Sequence, residues 1–330
     1  MTTKLANIIF CLLFLTGLPL TVWGHSTLAA LTAPPPVPTS PRRVVTLAPS
    51  VTETMFALGL GDLVAGVTQY CHYPEAARSL PKVAGFTDVN YEAVLRLNPD
   101  LVVLPVDKRA NLEDLERLGL TVMTLDTRDL TGYMSSLLDL GRATSSLELA
   151  RQVVERLEAS IVRATRRAAG RPRPRVLFSV MHSYQGFGYI TEITAVGRDG
   201  FFSQMLEMAG GDNVYDGLLS FPKLSREAIM TLDPEVVVDL IQGTEQADLA
   251  MADWLGLGGL SAAKSKRIYL FTDESDTVPG PRIHMTLDKL SLALHPEARS
   301  RPADGAGDGN NREDDDAHDN GGDASGPLGV

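Results

Sequence analysis

The chain has 330 residues, 44% hydrophobic and 22% charged, enough for two domains with apolar cores and too apolar for general disorder. A net charge of −11 excludes nucleic acid as a partner, because no basic surplus is left to meet phosphates. Nine acidic and three basic residues lie in 297–330, so about half of that charge describes the tail rather than a binding face.

Residues 1–30 read as a secretory signal peptide. Lys4 is the only charge before an apolar run over 8–23, and Ala29 and Ala30 offer small-residue cleavage sites. An uncleaved anchor is the competing reading, since the run is almost long enough to span a bilayer. Removal of the signal leaves Cys71 as the one cysteine, so no internal disulfide is expected. The proline-rich stretch over 31–41 predicts a stiff linker. Residues 297–330, which include EDDDAHD at 313–319, predict an acidic disordered tail rather than a metal site.

The apolar run RVVTLA at 43–48 predicts a buried parallel strand, ended by Pro49. Ser50 or Thr52 caps the next helix, which stops at Gly59 and Gly61. Strands over 63–67, 100–104 and 120–125 alternate with helices over 91–97 and 111–118, the pattern of a mostly parallel sheet with right-handed crossovers. Residues 144–170 then predict one long helix. Leu147, Ala150, Val153, Val154, Leu157, Ile161, Ala164 and Ala168 form its apolar stripe, and Arg166 and Arg167 suit its carboxyl end. Gly170, Pro172 and Pro174 terminate it. At 1.5 Å per residue it spans roughly 37 Å. The fold class is therefore α/β: two similar lobes with mostly parallel sheets, residues 42–143 and 171–296, joined by one long α-helix. A single domain bearing a long surface helix is the alternative.

An internal repeat supports two lobes. YEAVLRLNPDLVVL at 91–104 and REAIMTLDPEVVVD at 226–239 align without gaps at an offset of 135 residues, and RVLFSV at 175–180 echoes RVVTLA. The repeat shares Glu92 with Glu227, Leu97 with Leu232 and Pro99 with Pro234.

Ligands of open parallel sheets lie beyond the carboxyl ends of the strands. Those ends carry Ser50; Tyr70, Cys71, His72 and Tyr73; Phe86; His182, Ser183, Tyr184 and Phe187; and the loop over 271–279. Facing each other across two lobes, these aromatic and polar side chains suit a large flat ligand with a polar rim. The sequence contains no nucleotide-binding glycine loop, no GxSxG and no HExxH. A metal held by His72 and His182, with Cys71 or Glu274, is the enzyme-like alternative. The remaining histidines do not form a zinc-ligand set.

The run RVVTLAPSVTETMFALGLGDLVAGVTQYCHYPEAARSLPKVAGFTDVNYEAVLRLNPDLVVL resembles the periplasmic substrate-binding proteins of ABC importers for cobalamin and ferric siderophores. MLEMAGGDNVYD, LSREAIMTLDPEVVV, GPRI and LHPE extend the likeness over about 42–297. This helical-backbone family of metal-chelate receptors implies two α/β lobes on one long helix, a periplasmic location, no catalysis and no resident cofactor. It also implies a monomer that delivers its cargo to an inner-membrane permease dimer with its ATPase. The resemblance places Glu92 and Glu227 as docking carboxylates for permease arginines. It places Tyr70, Phe86, Phe221 and Glu274 at ligand contacts. Phe86 and Phe221 stand where cobalamin receptors use tryptophans, and Pro105 replaces another aromatic. With the cleft positions Ser50, His72, His182 and Tyr184, these make up the candidate ligand set. A haem receptor, with Tyr70 or His72 toward the iron, and a membrane-docked sensor are the further alternatives.

Overall fold

The computed structural model describes residues 41–86, 88–182, 190–241 and 243–297. The expected signal, the linker up to residue 40, the tail from 298 and the candidate Tyr184 lie outside these described residues.

Fully apolar runs become the buried strands. Strand β1 (Val44–Thr46) is followed by helix α1 (Pro49–Ala57), strand β2 (Val64–Thr68), helix α2 (Glu75–Arg78) and strand β3 (Lys82–Ala84). Next come α3 (Tyr91–Arg96), β4 (Leu101–Pro105), α4 (Arg109–Arg117) and β5 (Val122–Leu125). Every residue of β1 and β4 is buried, as strands covered on both faces require. The sheet order is β3-β2-β1-β4-β5, and all its pairings are parallel.

The second sheet is built on β6 (Arg175–His182), β7 (Glu192–Ala195), β9 (Lys223–Ser225), β10 (Val236–Leu240) and β11 (Ile268–Phe271), in the order β11-β10-β6-β7-β9, with the short β8 (Asp212–Asn213) beside β6. Its β6-β10-β11 part is parallel, whereas β7 runs antiparallel to both β6 and β9. Only nine residues separate β6 from β7, fewer than the crossover that parallel pairing needs. Helices α7 (Phe201–Met208), α8 (Arg226–Leu232), α9 (Ala247–Leu255) and α10 (Ser261–Ser265) complete this half, and α11 (Ile283–Leu294) closes it.

The 135-residue repeat is realised in detail. Val44, Val45 and Thr46 face Leu101, Val102 and Val103, and Val176, Leu177 and Phe178 face Val236, Val237 and Val238 in the same register. Asn90 caps α3 by accepting from Ala93 N, and Ser225 caps α8 by accepting from Ala228 N. Asn98 and Asp233 both adopt left-handed backbone, with φ of 45° and 40°. Asp100 and Glu235 then each tie their strand to its neighbour. Asp100 accepts from Arg42 N and Arg43 N, and Glu235 accepts from Arg175 N.

The connecting helix starts later than the sequence pattern predicts and has an unforeseen partner. Helix α5 (Leu130–Ala143) runs up to a corner at 144–146, where Ser145 has φ 58°, and α6 (Leu147–Ala168) follows. Two glycines obscure α5 in the sequence. Gly141 is there because a Cβ would lie 2.7 Å from the Ala150 Cβ, so only glycine lets α5 and α6 cross this closely. At 22 residues, α6 is about 33 Å long. Ala150, Val153, Val154, Leu157, Ser160 and Ala164 make its buried face.

That face is shared. One apolar cluster runs from Val44, Val51 and Val103 in the first half, through Val153 and Leu157, to Val176, Phe178, Ile283 and Leu287 in the second. Ser160 Oγ donates to the His284 carbonyl at 2.9 Å, and Arg163 pairs with Asp288 at 2.6 Å, fastening α6 to α11. The buried face of this connecting helix therefore belongs to a core that both halves share. Large relative motion would expose that core.

A candidate ligand-binding cleft between the sheets

The cleft opens at the carboxyl ends of β1, β2 and β4 on one side and of β6, β10 and β11 on the other. It encloses about 760 Å³. Ser50, Tyr70, His72 and Phe86 line it from the first half, and Val180, Glu274 and Pro279 from the second. A contiguous recess of about 460 Å³, walled by Pro105, Asn111 and Thr127, extends it over the start of α4.

Its floor is braced by small polar side chains. Pro49 opens α1, its fixed φ suiting the first helical turn. The Thr46 and Thr52 hydroxyls meet at 2.6 Å, and the hydroxyls of Thr52 and Thr68 each lie 3.1 Å from the buried Cys71 sulfur. Cys71 is thus engaged inside the lobe and its thiol does not face the cleft. These contacts hold the 69–73 loop, which presents Tyr70 and His72. Tyr70 and Phe86 stack edge to face, with centroids 6.1 Å apart, although 43% and 75% of their surfaces remain exposed. Exposed apolar rings lining a concavity are surface that a ligand would cover favourably.

Two ion pairs cross from one half to the other. His72 Nδ1 lies 2.9 Å from Glu274 Oε1, while its Nε2 lies 3.1 Å from the Gln69 carbonyl. Both partners are acceptors, so both bonds form together when the ring carries two N–H groups. Beneath this pair, Arg282 grips Glu53 with two bonds of 2.8 and 2.5 Å and places its guanidinium 3.7 Å above the Tyr73 ring. Burial pushes the Glu53 carboxyl up, against the opposing hydrogen bond and charge of Arg282, and the charge of Glu274 adds to the rise.

The structure brings together Ser50, Tyr70, His72, Phe86 and Glu274, and it keeps two expected contacts apart. His182 does not meet His72. Its side chain is 1% exposed and points into the second half, with Nδ1 3.2 Å from Asp239 Oδ2 and its ring 5.6 Å from that of Trp254. The β6–β7 register shifts between Ser179 and Met181, and Met181 is exposed while His182 is buried. Position at a strand end therefore did not settle which face His182 takes. Trp254 Nε1 also donates to Asp239 Oδ2, at 2.8 Å. Burial pushes the neighbouring Asp253 carboxyl up, opposed by His182 and reinforced by Asp239. Phe221 is 54% exposed at the β9 edge, outside the cleft lining. Among the described residues no group of three or more His, Cys, Asp or Glu is placed to hold a metal ion.

Sequence reasoning missed Lys108. It follows the carboxyl end of β4 by three residues and lines both the cleft and its extension. The rule that ligands gather at strand carboxyl ends was sufficient to find it.

Glu92 and Glu227 occupy the same second position of the repeated helices α3 and α8, and both are exposed. Glu92 lies 3.6 Å from Arg96. The Glu227 carboxyl is held below its usual range by its own backbone N–H and by the Ser225 hydroxyl, which donates at 2.8 Å.

The sequence matches the family model described as Periplasmic binding protein over residues 44–274. It is 32% identical over 217 residues to a vitamin B12-binding protein of Yersinia pestis, covering 64% of this chain and 74% of that one. The fold is similar to the periplasmic vitamin B12 binding protein of Vibrio cholerae, with TM-score 0.68 and 22% identity over 79% of this chain and 99% of that one. It is also similar to a periplasmic heme binding protein from Pseudomonas aeruginosa, with TM-score 0.66 and 26% identity over 78% and 93%.

Proposed function

The chain belongs to the periplasmic binding protein family, and from that premise we propose that it captures a metal chelate in the cleft between its two sheets and hands it to an ABC importer. The observation that carries this reading is the cleft itself. It is a concavity of about 760 Å³ at the strand carboxyl ends, faced by exposed Tyr70 and Phe86 and rimmed by His72, Ser50 and Glu274. Exposed aromatic rings with a few polar groups beside them fit a large, rigid chelate with an apolar face and a polar rim. Cobalamin and haem offer such a face, a ferric siderophore is the more compact candidate, and the relatives named for vitamin B12 and heme support the class. The shared core along α6 favours a preformed site, which avoids the ordering cost of a flexible one.

Glu92 and Glu227 are the proposed docking points for the permease. The repeat presents one exposed carboxylate per half at the same position of equivalent helices, which suits a two-fold partner offering arginines. Export by the N-terminal segment and transfer to a permease–ATPase assembly complete the reading, in which the chain is a carrier rather than a catalyst.

Equilibrium titration of the purified protein with cobalamin, several ferric siderophores and haem tests the capture step. Submicromolar binding of one of them is expected, and failure with all of them would overturn it. For docking, Glu92→Ala with Glu227→Ala is expected to abolish uptake with ligand affinity unchanged. Loss of affinity instead would overturn that assignment.

A further inference from the structure

We infer that Lys108 is an anion anchor beside the exposed Tyr70–Phe86 pair, so that the cargo is a chelate with an apolar face and a free carboxylate on its edge. The inference rests on the receptor reading above and narrows its ligand class.

Lys108 is half-buried and lines both the main cleft and its extension. Its ammonium donates to the Phe86 carbonyl at 3.0 Å, so the cation is attached to the same residue whose exposed ring meets that of Tyr70 edge to face. The other charges along these walls are mostly accounted for. Glu274 is bound to His72 at 2.9 Å, Asp273 to Lys289, and Arg109 to Glu113 at 3.4 Å. Among the described residues Lys108 makes no ion pair, its contact being a neutral carbonyl. An ammonium has three donors, and the carbonyl takes one. Burial lowers the Lys108 pKa, the nearby carboxylates of Asp107 and Asp88 oppose this, and burial prevails. A partly dehydrated cation with no carboxylate in direct contact among the described residues, beside uncovered rings, is complementary to a ligand whose face is apolar and whose edge is anionic. The resulting bond would be charge-assisted and stronger than a neutral one. A ligand with only neutral amides at its periphery offers the ammonium carbonyl acceptors but no counter-charge, and so a weaker bond than a carboxylate gives.

A tether that merely fixes the 85–88 loop would give the same Phe86 contact, so the test separates the two roles through the ligand. The full chain and its Lys108→Met and Lys108→Arg variants are titrated with hemin, hemin dimethyl ester and cobalamin, following absorbance. Wild type is expected to bind hemin at least about tenfold more tightly than the ester, or about 1.4 kcal/mol. Lys108→Met is expected to erase that difference and Lys108→Arg to retain it. Because the acid–ester comparison uses wild type alone, it holds even if the methionine variant folds poorly. Equal wild-type binding of acid and ester, or unchanged hemin affinity in Lys108→Met, would overturn the anchor. Binding of cobalamin without hemin would also overturn it while leaving the receptor reading intact. Absence of binding in all three arms would overturn the anchor and leave the receptor reading to the siderophore titrations.

Discussion

His72 and Glu274 are separated by 202 residues in sequence and by 2.9 Å in space, and their contact joins the two halves across the mouth of the cleft. Each side chain is 43% exposed, so solvent screens the pair. A double-mutant cycle with His72→Ala and Glu274→Ala, followed by urea unfolding, is expected to show a coupling below about 1 kcal/mol that shrinks in high salt. A larger coupling would mean that the contact is a structural clasp rather than a part of the cleft wall.

Arg282 and Glu53 form the stronger tie, because only 3% of the Glu53 side chain is exposed. Arg282→Met leaves a buried carboxylate without its partner and is expected to cost about 3–5 kcal/mol at neutral pH. The pH dependence has a definite sign. Glu53 titrates above its ordinary value of 4.5 in the folded protein, so the folded state holds this proton more tightly than the unfolded state. Its contribution is fully present below pH 4.5 and is lost as pH rises through the folded pKa. Removal of Arg282 raises that pKa further, and the variant is therefore expected to be less destabilised at mildly acidic pH than at alkaline pH. Urea midpoints at the two extremes check this.

The crossing of α5 and α6 depends on the missing side chain of Gly141. Gly141→Val is expected to destabilise the protein by about 1–3 kcal/mol, since its Cβ would fall within the Ala150 methyl. Thermal unfolding measures the loss, and the transition should remain single because the core beneath the crossing is common to both halves.

Tyr70 and Phe86 offer the opposite behaviour. They are exposed in the cleft, so Tyr70→Ala and Phe86→Ala are expected to leave the melting temperature nearly unchanged. Each is expected to weaken chelate binding by about 2 kcal/mol if these rings carry the ligand. Titration of the two variants beside a melting curve separates a binding surface from a core.

The buried Trp254 indole donates to Asp239, which also meets His182. Trp254→Phe keeps most of the ring and removes the donor, and it is expected to cost about 1–3 kcal/mol. Ligand affinity should be little affected, because this cluster lies behind the cleft wall. A large loss of affinity would return His182 to the ligand set.

The features legible in the sequence were those that repeat over short distances. The apolar stripe of α6 and the continuous runs of β1, β4 and β10 announced their burial. The offset of 135 residues announced two related halves, to which the structure adds the matched caps Asn90 and Ser225. Helix α5 escaped because Gly132 and Gly141 imitate breakers; Gly141 is needed for a close helix crossing. The antiparallel β7 escaped because the residues between it and β6 read as a binding loop. His182 was misassigned because its place near a strand end does not reveal on which face its imidazole lies.

The sequence by itself determined α6 and the repeated helices and strands, the buried side of each, and that two such sets are related. Periodicity is sufficient for this, because burial of apolar surface is decided residue by residue along an element. Only the tertiary structure decided which side chains meet: His72 with Glu274, Arg282 with Glu53, and the Lys108 ammonium with the backbone of Phe86. These pairings depend on how α6 and α11 pack the two sheets against each other. That is a property of the shared core, which no local pattern encodes.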